Sequence, residues 1–581
     1  MPTRPLARAA SVVVAAAVVA TSLLVASGPA GAVATSPPRR IVTGWLPYWS
    51  ATTSTADLVA NRDLFSDASP FWFTASSATT ITAALDSATR AAQTAQIHAA
   101  GVPVYPTVTD GMPAHAMAAV LANATTRSQH VAALVATVVA NGYDGIDLDY
   151  EKFAFSDGSS TWATTRPSWV AFVAQLAAAL HAQGRQLAVT VPYMTSATTG
   201  YWVYDYAQIG AYVDRMRIMT YDWSVSRAGP IAPISWVDAV AAYAASVVPA
   251  SKVQIGVAAY GYDWPASTTG CPVDNMPVRA SYTAAQAIAL AVALRVAPTW
   301  DATFAERTFS YRKSYTGHSA TGATATCTVT RTVWYDDKSS ASVRAALVGK
   351  YRLGGVAFWT VGGEDPGQWA LLRSYARTIA PDVSSTGLSL SASTVAYGQP
   401  VVIHGQVARS NDGTGIAGAH VLVQARLVGS TSWQTLLSAL TTPTGAVRAE
   451  HVPTGATQYR IVTVSGWGQS ASVSGTGQVS VSREVSAVAQ SGGVSVSSVH
   501  HGTPFLLSGV AQPRGTGVRV YLQRWSGSVY VLVASTVAGV NGRYAFAVST
   551  PTAGSYSFRT FVYGDSLYAG YSTPRVTVTV T

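Results

Sequence analysis

The chain has 581 residues, which is too many for one hydrophobic core, and this length predicts three or four domains. Hydrophobic residues make up 49% and charged residues only 11% of the sequence, which excludes wholesale disorder. The net charge is +10, but the basic residues are scattered along the sequence, so nucleic acid is not expected as a partner. Attraction to an anionic cell wall and a merely basic, soluble surface both remain consistent with this charge.

The first 34 residues have the pattern of an export signal. Arg4 and Arg8 precede an uncharged run over residues 9–27, and small-x-small cleavage motifs follow between residues 30 and 34. We therefore predict a signal peptide at 1–34 and a secreted protein, either free or associated with the cell wall. An uncleaved membrane anchor is the alternative, because the run is nearly long enough to span a bilayer. No integral membrane span is expected once the signal is removed.

Residues 40–381 alternate between short strand-like runs and Ala-rich helical stretches. The eight predicted strands are Ile41 to Leu46, Ser69 to Thr74, Pro103 to Val108, Asp144 to Tyr150, Gln186 to Val191, Met216 to Tyr221, Val253 to Ala258 and Gly355 to Thr360. Apart from the last, their starts fall about 30 to 40 residues apart, which is typical of repeated βα units and a parallel sheet. Eight such units predict an α/β fold, a (β/α)₈ TIM barrel.

The long gap before the eighth strand, about residues 265–333, predicts an insertion after strand seven. It contains both cysteines of the chain, Cys271 and Cys327, which should form a disulfide in an exported protein. Two cysteines without a histidine cluster make a poor metal site, so we expect no metal and no cofactor. Because barrel active sites lie on the loops after the strands, the insertion is expected to wall one side of a cleft.

After the barrel the helical patterns end, and Ser, Thr, Gly and Val alternate instead. Two units of about 100 residues share a Gly-x-Pro run and a turn glycine placed 14 residues before a tyrosine. We predict two immunoglobulin-like β-sandwiches, at 385–484 and 485–581. Trp433, Trp467 and Trp525 could bind glycan or fill the cores of these modules, and both alternatives stay open at this point.

The strongest chemical signal lies in the predicted fourth strand, where Asp147, Asp149 and Glu151 alternate with apolar residues. Because side chains alternate between the two faces of a strand, the three carboxyl groups should share one face. Inside a barrel, like charges raise each other's pKa, which keeps an acid protonated near neutral pH. A solvated acidic strand or a metal site is the alternative, which the apolar neighbours disfavour.

The run Asp144-x-x-Asp147-x-Asp149-x-Glu151 resembles the signature of glycoside hydrolase family 18, the chitinase-like family. Further segments that resemble the family occur in order across about residues 40–378: Gly44-Trp45-Leu46-Pro47-Tyr48-Trp49, Met219-Thr220-Tyr221-Asp222, Gly354-Gly355-Val356-Ala357-Phe358-Trp359 and Gly362-Gly363-Glu364-Asp365. The resemblance implies a glycosidase that cleaves β-1,4 bonds in polymers containing N-acetylglucosamine. We expect it to be secreted and to be a monomer.

The resemblance also implies the roles of individual residues. Glu151 would protonate the leaving oxygen, and Asp149 would orient the substrate's acetamido group, with Asp147 behind it. Tyr221 would bond the acetamido oxygen, and Trp359 would form the floor of the sugar subsite. Further substrate contacts are expected from Asp222, Met219 and Tyr48.

The shared face of the acids limits the mechanism. Ordinary retaining glycosidases place two carboxylates on opposite sides of the scissile bond, whereas Asp149 and Glu151 would lie on the same side. The remaining nucleophile is the substrate's own 2-acetamido oxygen, which predicts substrate-assisted retention.

One segment departs from many chitinases, which carry Ser-x-Gly-Gly on strand three. Here strand three reads Pro103-Val104-Tyr105-Pro106-Thr107-Val108-Thr109-Asp110, which is closer to the spore-cortex and peptidoglycan glucosaminidases. Chitin and peptidoglycan therefore both remain candidate polymers. The alternative function is a lectin-like, catalytically weak cell-wall protein; lectins of this family typically lack the acid, and Glu151 is present here.

Overall fold

The computed structural model describes residues 37–515 and 517–581, so the predicted signal peptide at 1–34 lies outside the described part of the chain. Eight parallel strands form the expected closed barrel: Val42–Pro47, Ser69–Ala75, Thr107–Asp110, Gly145–Asp149, Gln186–Pro192, Arg215–Met219, Val253–Ala258 and Gly355–Trp359. Each strand pairs with the next one along the chain, and the first pairs with both the second and the eighth, which closes the sheet.

The third strand begins later than the sequence pattern predicts. We expected Pro103 to Val108, but the ladder covers Thr107–Asp110, and Val104 forms only an isolated bridge before it. Proline has no backbone N–H to donate to a ladder, so Pro103 and Pro106 interrupt the pairing there.

Helices cover the outside of the barrel, and they are Ala51–Ala60, Ser87–Ala99, Ala116–Ala122, Ala124–Ala140, Lys152–Phe155, Trp162–His181, Tyr206–Ile209, Ile234–Val247, Lys338–Tyr351 and Gln368–Thr378. The longest of them buries Phe172, Leu176 and Leu180 at helical spacing against the sheet. Each such side chain contributes roughly 2 kcal/mol of hydrophobic stabilisation. Within the described residues, none of the helices is long and apolar enough to cross a membrane.

The insertion after the seventh barrel strand is an antiparallel sheet with one helix, Ala284–Leu294. Its strands are Tyr260–Pro265, Ala280–Thr283, Thr299–Asp301, Glu306–His318 and Thr324–Tyr335, so it extends slightly beyond the predicted limits of 265 and 333. Cys271 and Cys327 form a disulfide, as predicted, with their Cα atoms 4.9 Å apart.

Replacing both cysteines by serine is expected to lower the free energy of unfolding by about 2–4 kcal/mol, because the bond closes a loop between positions 56 apart. Denaturant titration of the wild type and the Cys271→Ser/Cys327→Ser variant measures the difference. A reductant should bring the wild type to the level of the variant and leave the variant unchanged. Equal stability of the oxidised wild type and the variant would contradict a stabilising role for this bond.

Two all-β modules follow the barrel, each with its own apolar core. The strands of the first are Ser384–Leu390, Thr394–Ala396, Val401–Arg409, His420–Leu427, Gln434–Leu440, Ala446–His451, Thr457–Thr463, Ser472–Val473 and Gly477–Ser482. The strands of the second are Glu484–Val485, Val488–Ser491, Val494–Ser495, Ser498–Val499, Phe505–Gln512, Arg519–Trp525, Tyr530–Val537, Arg543–Val548, Gly554–Val562, Tyr568–Ala569, Tyr571–Ser572 and Val576–Val580. The immunoglobulin-like assignment of these modules stays a prediction.

Trp467 lies at the junction between the barrel and the first module. Its ring is partly buried against the barrel core, and the guanidinium of Arg39 lies 3.9 Å from the ring centre. Arg39 also donates a 2.9 Å hydrogen bond to the carbonyl oxygen of Ile379. The backbone N–H of Asp382 donates to the carbonyl oxygen of Gly468, also at 2.9 Å. Trp467 therefore packs as a structural residue of this junction.

Candidate active site

A cleft of about 500 Å³ opens at the carboxyl ends of the barrel strands. Asp149, Met219 and Trp359 line it, and each is the last residue of its strand. This is the end of the fold at which TIM barrels carry their active sites.

Six of the eight site residues predicted from the sequence line this cleft: Asp149, Glu151, Met219, Tyr221, Asp222 and Trp359. Asp147 lies beneath them and is fully buried. Tyr48 is not part of the lining; its side chain is 43% exposed, and its neighbour Trp49 faces the cleft instead. A short 3₁₀ turn, Tyr48–Ser50, follows the first strand, and within it Trp49 lines the cleft in place of Tyr48, which the family resemblance had suggested.

The insertion supplies one wall of the cleft, as expected from its position after strand seven. Tyr260 and Tyr262 reach the cleft from its first strand, and Tyr282, Thr283 and Gln286 reach it from the segment around its helix. None of these five residues was assigned to the site from the sequence, because the pairing of the insertion's strands is known only from the tertiary structure.

Asp147 is enclosed by hydrogen-bond donors from four other barrel strands. Its Oδ2 accepts from Trp45 Nε1 at 3.0 Å and from Thr107 Oγ1 at 2.8 Å, and its Oδ1 accepts from Thr190 Oγ1 at 2.9 Å. Arg217 Nη1 lies 3.0 Å from Oδ2 and completes an ion pair. This carboxylate is thereby held in one orientation directly below Asp149.

Arg217 is the main feature of the site that sequence analysis missed. It is fully buried and joins Asp147 to a second acid, Asp67, whose Oδ1 lies 2.6 Å from Nη2. Arg215 pairs with the other oxygen of Asp67 at 2.7 Å. A signal was available, because two arginines at alternate positions of the apolar strand Arg215–Met219 require buried acids to offset their desolvation.

Asp149 is 6% exposed, and its Oδ1 has no hydrogen-bond partner among the residues that the structure describes. Burial raises its pKa well above the usual value, the charges of Glu151 and Asp147 raise it further, and Arg217 lowers it. A buried polar atom without a partner is costly, so a polar group of a bound ligand would satisfy it favourably.

Glu151 lies one position beyond the expected strand, at the start of the short helix Lys152–Phe155. Its backbone is helical, so strict strand alternation relates Asp147 to Asp149 only, although Glu151 still faces the same cleft. Burial raises the pKa of Glu151 to about 7, and the charge of Asp222 raises it as well. A carboxylic acid that keeps its proton near neutral pH suits general acid catalysis.

Tyr221 and Asp222 follow the sixth strand and connect it to the insertion. Burial raises the pKa of Tyr221 well above its usual value, with smaller contributions from the charges of Asp149 and Glu151, so the phenol keeps its proton. Asp222 has a left-handed backbone with φ 61°, and its Oδ1 accepts hydrogen bonds from Tyr260 and, at 2.8 Å, from Tyr262. The insertion thus fixes the carboxylate that faces Glu151.

Four aromatic rings form the floor of the cleft around Trp359. The ring centres of Phe71, Trp45 and Trp49 lie 5.0, 5.9 and 6.3 Å from that of Trp359, all in edge-to-face arrangements. Such packing fixes the indole plane and leaves a flat apolar surface for a ligand ring.

Nothing in this arrangement resembles a metal centre. Within residues 37–515 and 517–581, no group of three or more His, Cys, Asp or Glu side chains is placed to hold a metal ion. Asp147 already has four donors, so the metal-site alternative for the three acids has no support in the described residues.

Comparison with known proteins finds a family that part of the barrel resembles. Residues 93–364 match the model of "Glycosyl hydrolases family 18". The putative sporulation-specific glycosylase YdhD of Bacillus subtilis is 32% identical over 261 residues, which cover 44% of this chain and 56% of that protein. The cortical fragment-lytic enzyme of Bacillus subtilis is 28% identical over 236 residues, which cover 40% and 49%. The chain therefore spans about half the length of these curated relatives.

Among solved structures, the crystal structure of a chitinase from Chromobacterium violaceum ATCC 12472 has a TM-score of 0.48 to this chain at 25% identity, covering 57% of this chain and 98% of that one. The family match includes Asp147, Asp149 and Glu151 together with the sixth and eighth barrel strands. Residues 93–364 are thus similar to glycosyl hydrolase family 18, and this matched region contributes Asp149, Glu151 and Asp222 to the cleft.

Proposed function

We propose that this chain is a secreted glycosidase that cleaves β-1,4 bonds after N-acetylglucosamine in chitin or peptidoglycan. The observation that carries the proposal is the pairing of Glu151, whose pKa is raised to about 7, with Asp149, whose buried Oδ1 has no partner among the described residues. Both face one cleft with an aromatic floor. This arrangement offers a proton donor and an unsatisfied polar atom, while Asp222, the third carboxylate of the lining, is already held by Tyr260 and Tyr262.

In the proposed reaction Glu151 gives its proton to the glycosidic oxygen as the bond from that oxygen to C1 breaks. The substrate's acetamido oxygen forms the new bond to C1, and the positive charge spreads over the resulting oxazolinium ring. Asp149 accepts the acetamido N–H, and the Tyr221 hydroxyl donates to the acetamido oxygen. Water then attacks C1 as the bond from C1 to the acetamido oxygen breaks, and it gives a proton to the Glu151 carboxylate. This restores the acid and the acetamido group and leaves a β-configured product. Preorganised contacts of this kind can supply several kcal/mol of transition-state stabilisation.

The remaining groups position these atoms. The ion pair with Arg217 holds Asp147 beneath Asp149, and the charge of Asp147 contributes to the raised pKa of Asp149. Positive charge that develops on the acetamido group favours the carboxylate form of Asp149, which accepts the N–H. Trp359 would stack against the sugar in the subsite before the bond. Asp222, held by two tyrosines, would face the same sugar.

Both polymers stay within the proposal. Two matched relatives are named as a cortical fragment-lytic enzyme and a sporulation-specific glycosylase, and the matched crystal structure is named as a chitinase. We propose that the bond cleaved is the same in either polymer. Side-by-side digestion of purified chitin and peptidoglycan would identify the better substrate by release of reducing ends.

Acetamido dependence tests the mechanism directly. We expect release of reducing ends from N-acetylglucosamine oligomers, and none from glucose oligomers or fully deacetylated glucosamine oligomers of equal length. Proton NMR of fresh product should show the β-anomer first. An initial α-anomer or brisk cleavage of glucose oligomers would refute substrate assistance, and saturable oligomer binding without any turnover would favour the lectin-like alternative.

The pH dependence of the rate follows from Glu151, which must be protonated to act as the acid. Its pKa of about 7 means that the active form predominates below neutral pH and is lost as the pH rises through that value. We expect kcat/KM to fall about tenfold per unit on the alkaline side. Asp222→Asn removes a charge that raises this pKa, so its alkaline limb should shift to lower pH; an unshifted limb would contradict the assignment.

A further inference from the structure

The positive charge of the protein is concentrated in its two C-terminal modules. Residues 383–581 contain 11 arginines, no lysine and four carboxylates, which gives a net charge of +7. Residues 37–382 contain 24 basic and 23 acidic residues, which gives +1. The sequence pattern alone suggested scattered charges, but any long-range attraction to a polyanion would act on the modules and hardly on the barrel.

In the first module, two of these arginines lie over one outward-facing indole. The guanidinium carbons of Arg426 and Arg460 lie 4.5 and 4.4 Å from the ring centre of Trp433. Each arginine donates its Nε–H to a glutamine on the neighbouring strand, Arg426 to Gln458 at 2.9 Å and Arg460 to Gln424 at 2.8 Å. Trp433 lies outside the apolar core of this module, so the core-packing alternative does not describe it.

The second module repeats the arrangement. Arg559 donates its Nε–H to Gln523 at 2.8 Å, and its guanidinium lies 3.9 Å from the ring centre of Tyr530. The guanidinium carbon of Arg575 lies 4.8 Å from the ring centre of Trp525, and the rings of Trp525 and Tyr530 pack edge to face with their centres 5.0 Å apart. Trp525 lies outside the core of its module, as Trp433 does.

The two arrangements occupy equivalent positions in the repeat. Gln424 and Arg460 are cross-strand partners, and so are Gln523 and Arg559, each 99 positions later in the chain. The face that carries them points outward, because intervening residues such as Leu522 are buried in the core. A polar and aromatic pattern that recurs on the outer face of both modules is not required by either core.

The second module extends this outward face with three more aromatic rings. Tyr521 lies 5.2 Å from Phe561 and 5.0 Å from Tyr563, and Phe561 lies 4.7 Å from Tyr563. Tyr563 is 64% exposed. Tyr521 and Phe561 precede and follow the Gln523–Arg559 pair on the same two strands, so rings and guanidinium groups share one surface.

These guanidinium groups keep most of their donors free for a ligand. Among the described residues, no carboxylate lies within ion-pair distance of Arg426, Arg460, Arg559 or Arg575, and each donates to a neutral partner through Nε. The planar fork of a guanidinium matches a carboxylate in a bidentate manner. Flat rings beside the forks offer apolar surface to the C–H faces of sugars.

We propose that this outward face, defined by Trp525, Tyr530, Tyr563, Arg559 and Arg575 of the second module, binds a glycan strand that bears carboxylates, as peptidoglycan does through its peptide stems. Sugar rings would stack on the aromatic side chains, and the arginines would pair with the stem carboxylates. Arg426, Arg460 and Trp433 form the smaller counterpart of this face on the first module. The proposal concerns binding alone and does not depend on the catalytic proposal for the barrel.

The test uses the full chain carrying Glu151→Gln, so that the polymer is not consumed, and measures co-sedimentation with peptidoglycan stripped of phosphodiester-linked polymers. Arg559→Ala/Arg575→Ala should weaken binding about tenfold, since it removes charge-assisted hydrogen bonds. Arg514→Ala/Arg543→Ala removes one charge from the other sheet of the same module and one from the loop that follows its strand Phe505–Gln512, and it should change binding by less than about twofold. Equal losses in the two variants would overturn the proposal in favour of unspecific charge attraction.

Two further measurements separate the chemistry of the ligand from damage to the protein. Tyr563→Ala changes an exposed ring and should leave the thermal midpoint unchanged while weakening binding. Peptidoglycan whose carboxylates have been converted to amides should bind weakly to the chain that keeps both arginines. This binding should be as weak as that of native peptidoglycan to the Arg559→Ala/Arg575→Ala variant. Undiminished binding to amidated peptidoglycan, or equally tight binding to neutral chitin through this face, would overturn carboxylate recognition.

Discussion

Glu151→Gln is expected to lower kcat on N-acetylglucosamine oligomers by about 10²- to 10⁴-fold and to leave oligomer binding largely intact. Glutamine keeps the shape and the neutrality of the protonated acid, but its amide cannot deliver a proton to the leaving oxygen. The pKa of Glu151 is raised to about 7 by burial and by Asp222, so the proton is present at neutral pH in the wild type. Initial rates measured beside calorimetric Kd values would separate the chemical step from binding.

Glu364→Gln is the matched control for this experiment. Glu364 is also a carboxyl group whose burial raises its pKa, here to about 8, but its oxygens accept from Trp369 Nε1 at 2.9 Å and from the backbone N–H of Gly362 at 2.7 Å. It does not line the cleft. We expect kcat of this variant to stay within about threefold of the wild type. Residual activity above a tenth of the wild type in Glu151→Gln would reject Glu151 as the acid.

Arg217→Met should destabilise the barrel by about 3–5 kcal/mol, because it removes the one cation that pairs with buried Asp147 among the described residues and one of the two that pair with Asp67. In the wild type Arg217 lies 3.0 Å from Asp147 and 2.6 Å from Asp67, and all three side chains are fully buried. Methionine occupies a similar volume, so the loss of stability reports mainly the Asp147 carboxylate left without a cation, and not a cavity. Denaturant titration followed by tryptophan fluorescence would measure it.

The control replaces an arginine that has no such partners. Arg62→Met changes an exposed side chain at the end of the first helix, and we expect it to alter the free energy of unfolding by less than about 0.5 kcal/mol. Catalysis provides a second readout: a refolded Arg217→Met variant should lose kcat, because Asp147 is no longer held beneath Asp149. Equal stability of the two methionine variants would mean that the buried network contributes nothing to the fold.

Much of the barrel was predictable because its signals are local. The spacing of apolar runs marks the strands, and seven of the eight lie within two residues of the predicted starts; only the third begins later, where two prolines lack N–H donors. Alternation in Gly145–Asp149 places Asp147 and Asp149 on one face, and the long gap before strand eight marks the insertion. The disulfide between Cys271 and Cys327 was predictable because the sequence contains only these two cysteines.

By itself the sequence determined that Asp147 and Asp149 share one face of their strand, since side-chain direction along a strand depends only on neighbouring residues. Only the tertiary structure decided what surrounds these two acids. The buried ion pairs from Asp147 through Arg217 to Asp67 join the fourth strand, the sixth strand and the loop before the second strand. It also decided that Trp49, and not Tyr48, lines the cleft. It placed Trp525 outside the apolar core of the second module. Burial and electrostatic fields arise from segments that are far apart in the chain, so no local pattern encodes them.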